Sequence, residues 1–315
     1  MNHLVAIVGP TAIGKSELAL RLAQNLDGEI ISADSRQVYR LMDIGTAKPT
    51  PEELSLVPHH LIDIVNPDQD FSLAQYQELA VKAIAEVQSR KRLPLLVGGS
   101  GQYVWSILEG WRIPRVPPNP EFRRDLEQRQ AQGNQDELYQ ELVKVDPMAA
   151  EKIGPFNTRR IIRALEVHHR TKIPISQLQR KEPPPFAALV IGLTTDRSEL
   201  YHRIDRRVDD MVQRGLVTEV AGLLEKGYAP ELPAMSSLGY RQIGRFLQKE
   251  LSLNTAVQQI KFNTHRFTRR QYTWFSPKDN RITWFDLRNG KIDAQVSCLI
   301  TEFIAGLTSG DRATI

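Results

Sequence analysis

Eight consecutive residues, Gly9-Pro10-Thr11-Ala12-Ile13-Gly14-Lys15-Ser16, fit the spacing G-x-x-x-x-G-K-[ST]. A loop of that kind cradles phosphate. Its glycines let consecutive backbone N–H groups converge on an anion at a helix N-terminus, its lysine adds a cation, and its serine hydroxyl can hold Mg²⁺. The context is the required one: the apolar run Leu4 to Val8 precedes the loop and a helical pattern from Glu17 to Leu26 follows it. From average residue usage, a chance match in a chain of this length arises about once in a hundred. The loop specifies a diphosphate or polyphosphate, a nucleotide such as ATP included, and leaves open what carries it.

The second chemical group is Asp34, in the run Glu29-Ile30-Ile31-Ser32-Ala33-Asp34-Ser35. Alternate side chains of a strand share a face, so Ser32 and Asp34 point together, and Asp34 lies at the carboxyl end, where open α/β sheets bind ligands. An aspartate there serves as base, metal partner or helix cap, and position alone does not choose among them. Enzymes that split a γ-phosphate normally carry a metal-coupled acid at the end of another strand. Here Leu93 to Val97 runs into Gly98-Gly99-Ser100-Gly101, with Asp63 as a candidate substitute. The adjacent pair His59-His60 faces opposite ways on a strand and reads as structural rather than metal-binding. Tyr103 and Trp105 could stack on a base, but core packing is expected for at least one of them.

The elements that must hold these groups follow α/β grammar. Leu4 to Val8, Glu29 to Ala33 and Leu93 to Val97 each end in a turn and lead toward a helical pattern, which predicts a P-loop NTPase-like parallel sheet core. Ser72 is a predicted N-cap for a helix carrying Tyr76, Leu79, Ala80, Ala83, Ile84 and Val87, with the basic Arg90-Lys91-Arg92 at its C-terminus. Prolines 114, 117, 118 and 120, and again 183 to 185, bound an inserted small helical subdomain over 114–185. The core is then 1–113 plus 186–315. Within the insert, helical patterns lie near 122–130, 137–145 and 158–170. After it, Leu189 to Leu193 resumes as a strand, followed by a helix from Ser198 to Leu224 broken near Gly215.

The 315 residues carry 41 Lys and Arg against 37 Asp and Glu, a net charge of +4 that favours a polyanionic partner only weakly. Clustering says more. Arg159, Arg160, Arg163 and Arg170 fall in one helical pattern, while Lys261, Arg266, Arg269, Arg270, Lys278 and Arg281 face only Asp279. Arg159 and Arg163 share a helix face, as do Arg266 and Arg270. Arg203, Arg206 and Arg207 interleave with Asp205, Asp209 and Asp210 and read as helix ion pairs, with Arg207 the one nominated to reach a diphosphate. A content of 41% hydrophobic and 25% charged residues excludes disordered, collagen-like and coiled-coil classes. The single Cys298 excludes a disulfide framework and a cysteine zinc site, fits a reducing cytosol, and is expected to be buried. With no long apolar run and no signal-peptide pattern, the expectation is a soluble cytoplasmic monomer with no membrane association and no obligate protein partner.

Taken together, these segments resemble the tRNA dimethylallyltransferase family over nearly the whole chain. The matching blocks are Gly9 to Ser16, Ile30 to Tyr39, Asp43 to Pro49, Pro58 to Asp63, Leu96 to Tyr103, Arg163 to Val167, Gly239 to Gln242 and Thr264 to Phe275. The resemblance implies transfer of the dimethylallyl group of dimethylallyl diphosphate to the exocyclic amine of an adenosine beside the anticodon of tRNA. By that likeness the P-loop holds the diphosphate with Mg²⁺ at Ser16, Asp34 accepts the proton of the amine, and Ser100 stands where the family has a nucleotide-contacting threonine. Ser35, Arg36 and Gln37 would line the entrance. Arg123 and the stretch Asn157, Thr158, Arg159, Arg160 and Arg163 would clasp the anticodon stem-loop, from which the adenosine must be extruded. This chain departs from the family pattern at His265, Phe267, Thr268 and Arg269, and with one cysteine it lacks the zinc finger of some eukaryotic members. Three rivals remain: an isopentenyltransferase acting on free adenine nucleotides, a P-loop kinase for a small molecule, and a non-catalytic RNA-binding protein.

Overall fold

The structure is a computed structural model describing residues 2–133, 135–290 and 292–306. The chain divides into two compact units, one formed by Met1–Leu108 with Pro184–Ile315 and the other by Glu109–Pro183.

In the first unit, β1 (His3–Val8), α1 (Lys15–Asn25), β2 (Gly28–Ser32), α2 (Pro51–Leu56), β3 (His59–His60), α3 (Leu73–Ser89), β4 (Leu93–Gly98) and α4 (Gly101–Leu108) alternate as the apolar runs require. The second unit holds α5 (Pro120–Ala131), α6 (Gln135–Val145), α7 (Pro147–Ile153), α8 (Thr158–Thr171) and α9 (Ile175–Leu178). The first unit then resumes with β5 (Ala187–Thr194), α10 (Arg197–Gln213), α11 (Leu216–Glu225), α12 (Tyr240–Leu247), α13 (Leu253–Trp274), β6 (Ile282–Asp286) and α14 (Asp293–Ile304).

The six strands form one sheet in the order β3-β2-β4-β1-β5-β6, and every pairing is parallel. Leu4 to Val8 are fully buried, because a central parallel strand is covered on both faces and reads as a continuous apolar run. The register sets the site. Val8 stands opposite both Gly98 and Gly192, and Ser32 opposite Val97, so the carboxyl ends of β1, β2 and β4 are level and their loops are neighbours. A Cβ on Gly98 would lie 2.1 Å from the carbonyl oxygen of Ala33, an approach that only glycine permits between these loops.

Ser72 caps α3: its hydroxyl accepts the Gln75 N–H while the Gln75 side chain accepts the Ser72 N–H. That helix buries Tyr76, which stacks on Tyr103 at 3.7 Å and donates its hydroxyl to the Ser32 carbonyl. Gly215, with φ 102°, separates α10 from α11 at the expected break.

Arg90 and Arg92 do more than close α3. Both pair with Glu29 at the start of β2, as does His60, whose Nε2 lies 2.6 Å from the carboxylate. Burial of Glu29 works to raise its pKa, but the bonds from Arg90 and His60 prevail and bring it down to about 2. A carboxylate with a depressed folded-state pKa adds stability above its unfolded value, about 4.3, and loses it as the pH falls toward 2. Glu29→Gln is therefore expected to cost about 2 kcal/mol at pH 7, allowing for the partly exposed arginines, and nearly nothing at pH 2. Urea denaturation at the two pH values checks this; an equal loss at both would contradict it.

Two sequence expectations are corrected. Cys298 is exposed, not buried: on α14 the buried residues are Val296 and Ile300, and a residue two positions from each falls on the opposite face. Asp205 and Asp209 do not pair with the arginines that interleave with them on α10. Asp209 takes Lys261 and Asp205 faces His265, both from α13, while Arg203 pairs with Glu199.

The second unit packs around Leu126, Leu138, Leu142, Ile161, Leu165 and Val167. Glu166 is buried there and accepts a two-pronged pair from Arg123, one bond from Arg163 and the Asn119 N–H. Asn157 caps α8 through a bond from the Arg160 N–H.

Candidate active site

Residues 9–16 leave β1 and enter α1. Gly9 has φ 140°, and a Cβ there would lie 2.7 Å from the Leu193 carbonyl oxygen, so the loop turns tightly against β5. Ala12 is held at φ 62°, a strained conformation of the kind that clusters at ligand sites. Lys15 folds back to donate to the Pro10 carbonyl at 2.7 Å. The Ser16 hydroxyl is exposed at the start of α1 and has no hydrogen-bond partner among the described residues.

Asp34 follows β2 and accepts the Arg36 N–H at 2.8 Å through Oδ1. That bond forms a local turn and orients the carboxyl group, whose charge acts on both Lys15 and Arg207. Ser100, from the turn after β4, accepts the Ser35 N–H at 3.0 Å and reaches the Ser35 hydroxyl at 3.3 Å. Arg207, on α10, reaches Thr11 Oγ1 at 3.4 Å. The first unit thus brings together the phosphate loop, Asp34, Ser100 and Arg207 from four separate segments.

Burial pulls the Lys15 pKa down to about 7; Arg207 adds to the fall and Asp34 opposes it. An anion seated on the loop favours the charged amine, so binding of inorganic diphosphate should be accompanied by proton uptake. Titration calorimetry without divalent metal, in buffers of different ionisation heat, should detect close to one proton taken up per diphosphate at about pH 8, falling away near pH 6, where Lys15 is already charged. Uptake that does not change between the two pH values would contradict this.

Other expected residues turn inward. Gln37 accepts from Ser32 Oγ and donates to the carbonyls of Thr46 and Ala47, while Arg36 donates to the Pro233 carbonyl. Glu219 holds the neighbouring segment in place: its carboxylate accepts the N–H groups of Asp43, Ile44 and Gly45 and the Tyr240 hydroxyl. Asp63 is engaged by Lys48 at 2.5 Å, which gives that acid a structural partner. Trp105 and Tyr103 are both buried. His59 bonds the Val57 carbonyl and His60 bonds Glu29, and among the described residues no cluster of His, Cys, Asp or Glu could hold a metal.

The second unit carries the remaining predicted residues. Arg123 and Arg163 are committed to Glu166, whereas Arg159 and Arg160 are exposed on the first turn of α8. Beside them stands Phe156, 90% exposed, which sequence reasoning passed over because it lies in no amphipathic pattern. Gln271 was also passed over: its side-chain amide lies buried between two loops of the site.

A tRNA dimethylallyltransferase of Roseiflexus castenholzii is 54% identical over 283 residues, covering 90% of this chain and 92% of that protein. The crystal structure of a full-length tRNA isopentenylpyrophosphate transferase from Bacillus halodurans matches with TM-score 0.71 and 42% identity over 98% of this chain and 97% of that one. A eukaryotic dimethylallyltransferase acting on tRNA matches with TM-score 0.83 and 25% identity over 99% of this chain and 82% of that one. The model of the IPP transferase family matches residues 37–278, and the chain belongs to that family.

Proposed function

We propose that the protein transfers the dimethylallyl group of dimethylallyl diphosphate to the N6 amine of the adenosine immediately 3′ of the anticodon in tRNA, releasing diphosphate. The observation that carries this reading is the convergence of a phosphate loop with Asp34, Ser100 and Arg207, while the strand end beside the loop is glycines rather than an acid. The names of the curated relatives support it. A kinase would need an acid for a phosphoryl-bound metal, and Asp63, the substitute offered for the missing acid after β4, is tied to Lys48.

In the reaction the N6 lone pair attacks C1 of the dimethylallyl group, and the C1–O bond breaks with its electron pair going to diphosphate. Backbone N–H groups of residues 12–16, Lys15 and Arg207 offset the charge that develops on the leaving oxygen. The amine is too weak an acid to ionise beforehand, so Asp34 takes its proton as the new N–C bond forms. In this reading the hydroxyl of Ser100, which bonds Ser35 in the free protein, contacts the nucleotide. Mg²⁺ fits the donor set. The exposed, unpartnered Ser16 hydroxyl offers one ligand, Mg²⁺ characteristically draws the others from phosphate oxygens and water, and the bound ion would add positive charge at the diphosphate.

For tRNA, the exposed Arg159 and Arg160 beside Phe156 combine phosphate-binding charge with an aromatic face able to stack on a base. Replacing both arginines by alanine is expected to weaken tRNA binding and to lower the slope of log K against log salt by about 2. Filter binding across a salt series checks this; an unchanged slope would place the RNA elsewhere. No helix of the described residues is long and apolar enough to cross a membrane, and a cytoplasmic tRNA-modifying enzyme is the reading we adopt.

Acceptor choice tests the function. Purified protein with Mg²⁺ and radiolabelled dimethylallyl diphosphate should label unmodified tRNA and leave AMP unlabelled. Label in AMP would favour the enzyme of free nucleotides, and phosphoryl transfer from γ-labelled ATP to a small hydroxyl compound would favour the kinase.

A further inference from the structure

The mechanism places the leaving diphosphate on residues 9–16 and the base at Asp34, and these lie on different strands. A buried amide from a third element bonds the phosphate loop to the turn beside the Asp34 segment. Gln271, near the C-terminus of α13, is 4% exposed. Its Oε1 accepts the Thr11 backbone N–H at 2.9 Å, and its Nε2 donates to the Gly99 carbonyl at 3.0 Å. One side chain thus joins the phosphate loop to the turn after β4.

That turn is in contact with the segment bearing the base. The Ser100 N–H donates to the Ala33 carbonyl at 3.3 Å, and Ser100 Oγ accepts the Ser35 N–H at 3.0 Å, on either side of Asp34. A continuous series of hydrogen bonds runs from Thr11 through Gln271, Gly99 and Ser100 to the residues flanking Asp34. The end of α13 is itself anchored: Trp105 Nε1 donates to the Trp274 carbonyl at 3.0 Å, and Trp274 lies so close to Gly101 that a Cβ there would meet its ring at 2.2 Å.

A steric observation independently points the same way. A Cβ on Gly99 would sit 2.2 Å from Gln271 Nε2, so a glycine is required at 99 for the amide to occupy this position. We propose that Gln271 is a positioning residue that sets the distance between the diphosphate of the donor and the Asp34 carboxylate, with Gly99 providing the space in which it does so. This rests on the prenyl-transfer reading above.

Gln271→Met keeps the length and bulk of the side chain and removes both hydrogen bonds. In steady-state transfer to tRNA it should lower kcat by about tenfold to a hundredfold, the scale expected when reacting groups are misplaced by about 1 Å, with a much smaller change in KM for dimethylallyl diphosphate. Gly99→Ala should give a similar fall by displacing the same amide. The double variant should be hardly slower than either single one, because both act through one contact. Thermal denaturation of each variant identifies any that fails to fold, and the remaining single variant then carries the kcat and KM comparison. Transfer by the wild type with an unchanged kcat in Gln271→Met, or effects of the two substitutions that multiply, would overturn the inference and leave the function intact. A wild type that transfers no label to tRNA would overturn the function itself.

Discussion

Replacing Asp34 by asparagine is expected to lower the rate of prenyl transfer by about a hundredfold to ten-thousandfold, the range contributed by a positioned general base. The substitution keeps shape. The amide oxygen can still accept the Arg36 N–H that orients Asp34 Oδ1 at 2.8 Å, so the turn after β2 should persist. What disappears is the basicity that takes the N6 proton. The negative charge that supports Lys15 also goes, so the Lys15 amine will hold its proton less well in the variant than in the wild type. Rates are therefore best compared near pH 6, where Lys15 is mostly charged in the wild type. Single-turnover kinetics with saturating tRNA should show the loss in the chemical step, with both substrates still bound. A matching loss of tRNA affinity would make Asp34 a binding residue instead of a base.

Lys15→Ala should act differently, lowering diphosphate affinity and turnover together. The lysine is the cation at the centre of the loop, and a charge-assisted bond is worth about 1.5–3 kcal/mol, or roughly tenfold to a hundredfold in dissociation constant. Further loss in turnover should follow, because the same charge meets the leaving oxygen as it becomes more negative. Proton uptake on diphosphate binding should vanish in this variant. Calorimetry and steady-state rates on one preparation measure all three, and a change confined to turnover would contradict the assignment.

How much of this was legible in the sequence follows from the physics of each element. The phosphate loop declared itself because its conformation needs glycine at fixed positions and its charge needs lysine at one. The central strands were equally plain, since burial on both faces leaves unbroken apolar runs at Leu4 and Leu93, with β2 carrying only Ile30 and Ile31 between Glu29 and Ser32. Edge elements were not. β3 is two residues long, and β6, Ile282–Asp286, mixes polar and apolar residues because only Ile282 is fully buried.

Within the site, Asp34 could be placed at a strand end from alternation, Ser100 by the family resemblance and Arg207 as a nominee for the diphosphate, but the contact of Arg207 with Thr11 joins segments too far apart in sequence for spacing to pair them. Gln271 did leave a trace. Thr268, Gln271 and Phe275 are spaced three and four apart on the buried stripe of α13 and its end, and a polar side chain at such spacing needs an internal partner. The basic residues around it drew the reading toward RNA instead. Arg123 and Arg163 show the converse: Arg163 was read toward nucleic acid from its cluster and Arg123 from its place at the start of the insert, while in the structure both bond Glu166, a buried carboxylate that sequence spacing alone does not pair with Arg123.

The central claim is that the acceptor is one adenosine of tRNA, and the most direct measurement is mass spectrometry of the product. Unmodified tRNA is incubated with the protein, Mg²⁺ and dimethylallyl diphosphate, cut by a base-specific ribonuclease, and the fragments are weighed and sequenced. The account predicts one dimethylallyl addition, on the adenosine immediately 3′ of the anticodon, formed far more slowly when Asp34→Asn replaces the wild type. Addition at another nucleotide, or none while free adenine nucleotides are prenylated, would contradict it.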